Sequence, residues 1–148
     1  MDTFVTGHIG LNITSLARSK KFYQDVFGFE AIAESNEEGK RFAFLGTGGN
    51  IVLTLWEQGQ GRFDRQPAGL HHLSFAVESI ERVREIEQRL KKGNVPLLYP
   101  GVVAHSEGAT SGGVFFEDPD GIRLEVFTAE GAAGYPAPAG NAPSCGFF

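Results

Sequence analysis

Several features that define other protein classes are scarce or missing in this chain. It has one cysteine, Cys145, so no disulfide can form within the chain. No apolar run is long enough to cross a membrane, and the first residues lack the basic flank and apolar stretch of a secretion signal. A net charge of −5 argues against nucleic acid as the main partner. These absences predict a cytoplasmic protein without a membrane or nucleic-acid partner.

The chain contains one pattern twice. Its 148 residues, of which 41% are hydrophobic, suffice for one ordinary domain or two very small ones. The segment HIGLNITSL superposes on HLSFAVESI, which aligns His8 with His72 and keeps every apolar position on its face. Such self-similarity indicates two copies of one supersecondary unit.

The first copy, residues 4–57, predicts a strand, a helix and three more strands. Alternating apolar residues mark the first strand at 7–13. Thr14 or Ser15 can cap the helix that follows, and Gly28 can end it. The remaining strands are expected at 29–34, 41–45 and 51–56.

A polar linker at 58–69 leads to the second copy, residues 70–128. A strand at 70–77 precedes a helix that Ser79 begins and Gly93 ends. Further strands are expected at 95–99, 114–117 and 122–127.

The tail at 129–148 is rich in Gly, Ala and Pro and shows no periodicity. We expect an extended or mobile segment without a packed element. Its two terminal aromatic residues leave two alternatives open. They dock on the domain, on a partner subunit or over a pocket, or they form a loosely attached end.

One carboxylate stands out in the last predicted hairpin, GVFFEDPDGIRLEVF. In its second strand Ile122, Leu124 and Val126 share one face, so Glu125 points away from the apolar packing surface. A carboxylate in mid-strand is disfavoured unless it has a partner such as a cation or a metal. A salt bridge to Arg123 is the structural alternative.

Two histidines can join this carboxylate. His8 and His72 each start the first strand of a copy on its non-core face, and a curved sheet would bring them to Glu125. Two neutral imidazoles and one carboxylate bind Fe(II), Mn(II), Zn(II) or Ni(II) and leave positions open for catalysis. Each histidine alone is more often structural or merely exposed. His71 is the weaker candidate, because alternation turns it to the face opposite His72.

The segments GHIGLNITSLARSKKFYQDVFGFE, HHLSFAVESI and EDPDGIRLEVF resemble the vicinal oxygen chelate superfamily. That family includes glyoxalase I, fosfomycin- and bleomycin-resistance proteins and extradiol dioxygenases. The resemblance implies an α+β fold of two βαβββ modules whose curved mixed sheets surround a cavity, in a homodimer. It also implies one divalent metal ion at His8, His72 and Glu125, and leaves open whether His8 comes from the same chain or the other subunit.

The chain departs from two members of that family. Thr54 stands where glyoxalase I looks to carry a fourth ligand, a glutamate, which argues against a methylglyoxal enzyme. A segment beginning at His105 is similar to the extradiol dioxygenase pattern, but Phe115 replaces its tyrosine and the interval is longer. His105 is therefore the candidate catalytic acid or base, within a Gly- and Ser-rich loop. Alternation gives the candidates for the substrate pocket: Asn12, Thr54, Trp56, Ser74, Arg123 and Phe127.

The resulting hypothesis is a divalent-metal-dependent enzyme that chelates a small substrate through vicinal oxygens. Isomerisation, lyase chemistry and ring cleavage all fit such a site. The main alternative is a metal-free protein of the bleomycin-resistance kind that sequesters an antibiotic. A third is a degenerate scaffold retained for interactions alone, with an empty site.

Overall fold

A computed structural model describes residues 1–138, 142–146 and 148 of the chain. They form two compact units, Met1–Arg62 and Phe63–Phe148. Each unit is one βαβββ module with a four-stranded mixed sheet. The predicted α+β fold of two repeated modules is therefore confirmed. Within these described residues no helix is both long and apolar enough to cross a membrane.

The first unit contains strands β1 to β4 and helix α1. Their bounds are β1 Ile9–Ile13, α1 Leu16–Phe27, β2 Glu30–Ser35, β3 Phe42–Thr47 and β4 Asn50–Glu57. The sheet order is β1-β4-β3-β2, with β1 parallel to β4 and the other pairs antiparallel. Each predicted strand and the helix lie within a few residues of their expected positions.

Local sequence explains the limits of α1. The side chain of Ser15 accepts a hydrogen bond from the backbone N–H of Arg18, which satisfies one of the free amides at the helix start. Gly28 ends the helix in the left-handed conformation, with φ 74°, where a side chain would cost energy. Tyr23 and Val26 face the core and are buried.

The second unit repeats the arrangement. Its elements are β5 Leu73–Ala76, α2 Ile80–Lys92, β6 Val103–Ala104, β7 Gly112–Glu117 and β8 Arg123–Thr128. The sheet order is β5-β8-β7-β6, again with one parallel pair, β5 and β8. Ser79 caps α2 as expected, and Val83, Ile86 and Leu90 are its buried face.

One predicted strand is wrong. Residues 95–99 form no strand, and Leu97 makes only an isolated bridge to Phe116. Pro96 and Pro100 have no N–H to donate to a ladder, which limits regular pairing there. The edge strand of this sheet is instead the two-residue β6.

The tail is packed where the structure describes it. Ala132 is fully buried and donates its N–H to the carbonyl of Thr110 at 2.7 Å. The carbonyl of Pro136 accepts from Ala104 N, and Ser144–Gly146 forms a short 3₁₀ helix. The expectation of a tail without a packed element is wrong for these residues. Of the two terminal aromatics, Phe147 lies outside the described residues.

Candidate functional site

Glu125 occupies the middle of β8 and is only 2% exposed. The turn before β8 sets its position, because the Asp118 carboxylate accepts hydrogen bonds from the N–H groups of Asp120 and Ile122, each at 2.9 Å. Gly121 supplies the positive φ, 85°, that this turn requires. The sequence predicts that Glu125 lies opposite the apolar face of β8. The residues of that face, Ile122, Leu124 and Val126, are buried.

Three side chains of the second unit approach the two oxygens of Glu125. Ser74 Oγ donates to Oε2 at 3.1 Å, and His72 Nε2 lies 3.4 Å from the same oxygen. His105 Nε2 lies 2.5 Å from Oε1. A carboxylate this deeply buried requires such partners, since the charge loses its water on folding. The predicted candidates His72, His105 and Ser74 are thus brought together around Glu125.

The surroundings of His72 favour its neutral form. Burial lowers the pKa of its imidazole below the ordinary histidine value, and the charge of Glu125 opposes that effect only in part. His72 lies just before β5, so the alternation of side chains along that strand does not apply to His71. His71 therefore does not turn away as expected, and the two rings are adjacent, with 5.0 Å between their centroids.

If both adjacent imidazoles are neutral, their hydrogen bonds assign the proton of each ring. His71 Nε2 lies 3.2 Å from the carbonyl oxygen of Gly146, which can only accept, so a neutral His71 carries its proton there. Its Nδ1 then accepts from His72 Nδ1 at 2.7 Å. With both rings neutral, the remaining nitrogen, His72 Nε2, presents a lone pair to Glu125 Oε2.

The spacing of these two atoms suits two ligands of one divalent ion. Two ligand atoms that bind one ion at about 2.1 Å lie about 3.0 to 3.4 Å apart, depending on geometry. The separation of His72 Nε2 and Glu125 Oε2 is 3.4 Å. Among the residues that the structure describes, no group of three or more His, Cys, Asp or Glu side chains is arranged as a complete metal site. The pair supplies two donors, and further ligands would have to join it.

His105 is held at both ring nitrogens. Its Nδ1 lies 2.9 Å from Ser111 Oγ, and its Nε2 faces Glu125. With Nε2–H donating to the carboxylate, Nδ1 accepts the Ser111 hydroxyl proton. Residues 105–111 belong to the loop between β6 and β7, and the backbone N–H of His105 donates to Ser111 O at 3.0 Å. The loop therefore fixes this imidazole on Glu125.

Arg123 and Phe127 flank Glu125 on the same strand. Arg123 is 8% exposed, and its Nε has no hydrogen-bond partner among the described residues. The salt bridge between Arg123 and Glu125 considered above is not among the observed ion pairs of the described chain. The ring centroid of Phe127 lies 5.5 Å from that of His105, so Phe127 forms an apolar side of the site.

The other predicted site residues belong to the first unit. His8 precedes β1 and is exposed, as is Asn12. Thr54 is 2% exposed and accepts a hydrogen bond from Trp56 Nε1 at 3.0 Å. The indole of Trp56 also contacts the rings of Phe42 and Phe44. Trp56 also lines a recess of about 200 Å³ in this unit.

Three residues at the site had no clear signal in the sequence. Ser111 stands in a loop of small residues, and Tyr99 lies in the segment mispredicted as a strand. The ring of Phe148 lies 5.4 Å from that of His72, far from it in the chain. Cys145 is also close, and burial followed by the charge of Glu125 raises the pKa of its thiol. Only the two aromatic residues at the end of an otherwise small-residue tail hinted at this contact.

Two curated relatives are similar to this chain over most of its length. It is 29% identical over 126 residues to a probable trivalent organoarsenical cleaving enzyme of Bacillus subtilis (strain 168), covering 81% of this chain and 77% of that protein. It is 32% identical over 129 residues to lactoylglutathione lyase of Haemophilus influenzae, covering 80% and 87%.

Solved structures share the fold. A glyoxylase/bleomycin resistance protein/dioxygenase domain from Frankia sp. EAN1pec superposes with a TM-score of 0.73 at 24% identity, covering 90% of this chain and 98% of that one. The fosfomycin resistance protein FosX from Listeria monocytogenes, complexed with Mn(II) and sulfate, gives 0.63 at 22% identity, covering 86% and 93%. The family model matches residues 6–126. The chain is a member of the Glyoxalase/Bleomycin resistance protein/Dioxygenase superfamily.

Proposed function

We propose that this chain is a divalent-metal-dependent enzyme that acts on a small substrate with two adjacent oxygen atoms. The observation that carries the proposal is the separation of 3.4 Å between His72 Nε2 and an oxygen of the buried Glu125 carboxylate. Two electron-pair donors at that spacing repel unless a proton or a cation lies between them. His8 is the proposed third ligand, from the same chain or from the other subunit of a homodimer.

The donor set limits the metal. Two imidazoles and one carboxylate suit Fe, Mn, Zn or Ni, and leave coordination positions for substrate. When bound, such an ion polarises a substrate oxygen and stabilises the negative charge that develops on it. The FosX relative of known structure holds Mn(II), which supports a divalent ion of this kind.

Residues of this chain supply the remaining functions. Ser74 and His105 orient the Glu125 carboxylate through one hydrogen bond to each oxygen. His105 holds a proton at Nε2, and Ser111 fixes the ring through Nδ1, so this imidazole is the proposed acid or base. The guanidinium of Arg123 would attract an anionic oxygen of the substrate.

Proton transfer, lyase chemistry and ring cleavage by oxygen remain the candidate reactions. Bound iron would favour oxygen chemistry, whereas zinc or nickel would favour isomerase or lyase chemistry. The antibiotic-sequestering alternative is not favoured, because the two curated relatives named above are described as a probable trivalent organoarsenical cleaving enzyme and a lactoylglutathione lyase. The cytoplasm stays the location predicted from the sequence.

Metal analysis of protein purified without a metal-affinity tag tests the proposal. The parent should hold about one ion per chain, and His8→Ala, His72→Ala and Glu125→Ala should hold much less. Glu78→Ala removes an exposed carboxylate of the same unit and should retain the metal. Parent protein that binds none of the four ions after reconstitution would refute the enzyme proposal. Retention of the metal by His8→Ala would refute His8 as a ligand but would leave His72 and Glu125 as ligands.

A further inference from the structure

The end of the chain lies on the Glu125 site. We call Ala142–Gly146 together with Phe148 the strap. Ser144 is 1% exposed, and its carbonyl accepts from the Tyr99 hydroxyl at 2.8 Å. Its N–H donates to the carbonyl of His105 at 2.8 Å. His105, which contacts Glu125, and His71, which contacts His72, thus both bind the strap directly, His71 through Gly146.

The ring of Phe148 packs beside the proposed ligand pair, and we call the space that it occupies the recess. Its centroid lies 4.7 Å from that of Phe115 and 5.4 Å from that of His72, both in inclined arrangements. Arg123 Cζ lies 4.8 Å from the same centroid. Tyr99 is at 6.4 Å. The recess therefore has aromatic walls and one cationic side, which suits a planar ring.

The recess also lacks something that Phe148 cannot supply. Arg123 is more than nine-tenths buried, and its Nε has no hydrogen-bond partner within the described part of the chain. A phenyl ring offers this guanidinium its π face but no lone pair. A buried donor without an acceptor costs free energy. A ring that carries an anionic oxygen would satisfy both the walls and the donor.

We propose that the strap is an internal occupant of an aromatic-ring subsite, and that a ligand with a planar ring and an acidic oxygen displaces Phe148 from it. This proposal deepens the proposed function, on which it rests for the nature of the site. The bound strap covers His72 and the free subsite exposes it. Only chains with the strap displaced can bind the ligand. The apparent dissociation constant therefore equals the intrinsic one divided by the fraction of chains in which the strap is displaced.

Benzoate titration of the metal-free protein, followed by NMR, tests this competition. Phe148→Ala should bind benzoate about 5- to 10-fold more tightly than the parent, because the internal competitor is gone. Tyr99→Phe keeps the ring but removes the hydroxyl that holds Ser144, and should give a smaller gain of the same sign. Tyr135→Phe, which removes a hydroxyl elsewhere in the tail, should match the parent.

A second probe tests the need for an aromatic ring. Cyclohexanecarboxylate has the same charge and similar size, and should bind Phe148→Ala at least about fivefold more weakly than benzoate does. Equal benzoate affinity in the parent and Phe148→Ala, equal affinity for the two probes, or no benzoate binding in any variant would each overturn the proposal. Because the titration needs no metal, it and the metal analysis can fail separately.

Discussion

The two units place very different residues at the same backbone position. β1 aligns Gly10 with Thr54 of β4, and β5 aligns Ser74 with Glu125 of β8 in the same parallel register. In the first unit the position is a neutral hydroxyl, satisfied by Trp56. In the second it is a carboxylate that is hydrogen-bonded to Ser74 and His105 and faced by His72. The repeated fold thus provides one scaffold, and single substitutions decide whether it carries charge.

The edge strands of the two sheets differ in length. β2 has six residues, whereas β6 has two. The short β6 returns the chain to a loop, and that loop carries His105 to Glu125. The first unit continues its pairing through β2 and has no histidine in that part of the chain. Shortening a peripheral strand therefore allows a loop to supply a functional group.

The largest effect is expected from Glu125→Thr, which gives the second unit the residue that the first unit has at the equivalent position, Thr54. We expect metal affinity to fall on the order of a thousandfold, as the loss of one of three ligands implies. Metal content and a competition titration against a chelator measure it. Thr54→Ser, with a hydroxyl retained in the first unit, is the control. Unchanged affinity in Glu125→Thr would exclude this glutamate as a ligand.

Equivalent core positions test whether the scaffolds are alike. Leu53 and Leu124 are both fully buried and lie in the same register with β1 and β5. Replacing either by Ala should cost about 3 kcal/mol of unfolding free energy, from lost burial and a cavity. Urea unfolding of the two variants measures this. A cost below about 1 kcal/mol for one of them would show that the two cores differ in packing.

A smaller effect is expected at His71, whose counterpart in the repeat is Gly7. His71→Ala removes the acceptor that holds the proton of His72 on Nδ1, so metal affinity should fall about tenfold. Nitrogen-15 NMR of the metal-free parent should show the Nδ1–H tautomer of His72, and the variant should lose that preference. A parent in the Nε2–H form would contradict the hydrogen-bond assignment.

The smallest effect concerns a carboxylate of the first unit that serves the fold. The pKa of Glu57 is lowered, first because its carboxylate accepts from the N–H of Leu16 at 2.7 Å and then because Arg41 is hydrogen-bonded to it. A lowered folded-state pKa adds stability that is fully present above the unfolded-state value and is lost as the pH falls through the folded value.

The variant Glu57→Gln should therefore be less stable than the parent at neutral pH. The difference should vanish in acid, where the parent carboxyl is protonated. Urea unfolding of both proteins across that pH range measures it, with the exposed Glu38→Gln as the control. A difference that persists unchanged in acid would mean that charge is not its cause.

The sequence predicted what depends on periodicity and capping. Alternation identified most strands, and Ser15, Gly28 and Ser79 marked helix ends correctly. The strand at 95–99 failed because its apolar residues look like a strand, whereas Pro96 and Pro100 have no N–H to donate and limit the pairing to an isolated bridge. His71 failed because alternation was extended to a residue before the strand begins.

The arrangement around Glu125 was only partly predictable. Ser74 and Glu125 stand in alternating strands, so their shared face could be inferred, and His72 was indicated by its match to His8 in the repeat. Ser111, Tyr99 and Phe148 reach the site through a loop and a tail, whose paths depend on tertiary contacts and have no period in sequence. For the same reason the packing of the tail could not be deduced from its composition.

The turn at Asp118–Gly121 has a consequence for how the protein tolerates insertions and deletions. It fixes the pairing of β7 with β8, in which Phe115 lies opposite Glu125. Gaining or losing one residue after the turn would exchange the two faces of β8, so Leu124 would take the outward place and the carboxylate would enter the core. Such a change would alter no residue of the site and yet abolish it. The site therefore depends on the number of residues between the turn and Glu125 as well as on the identity of its side chains.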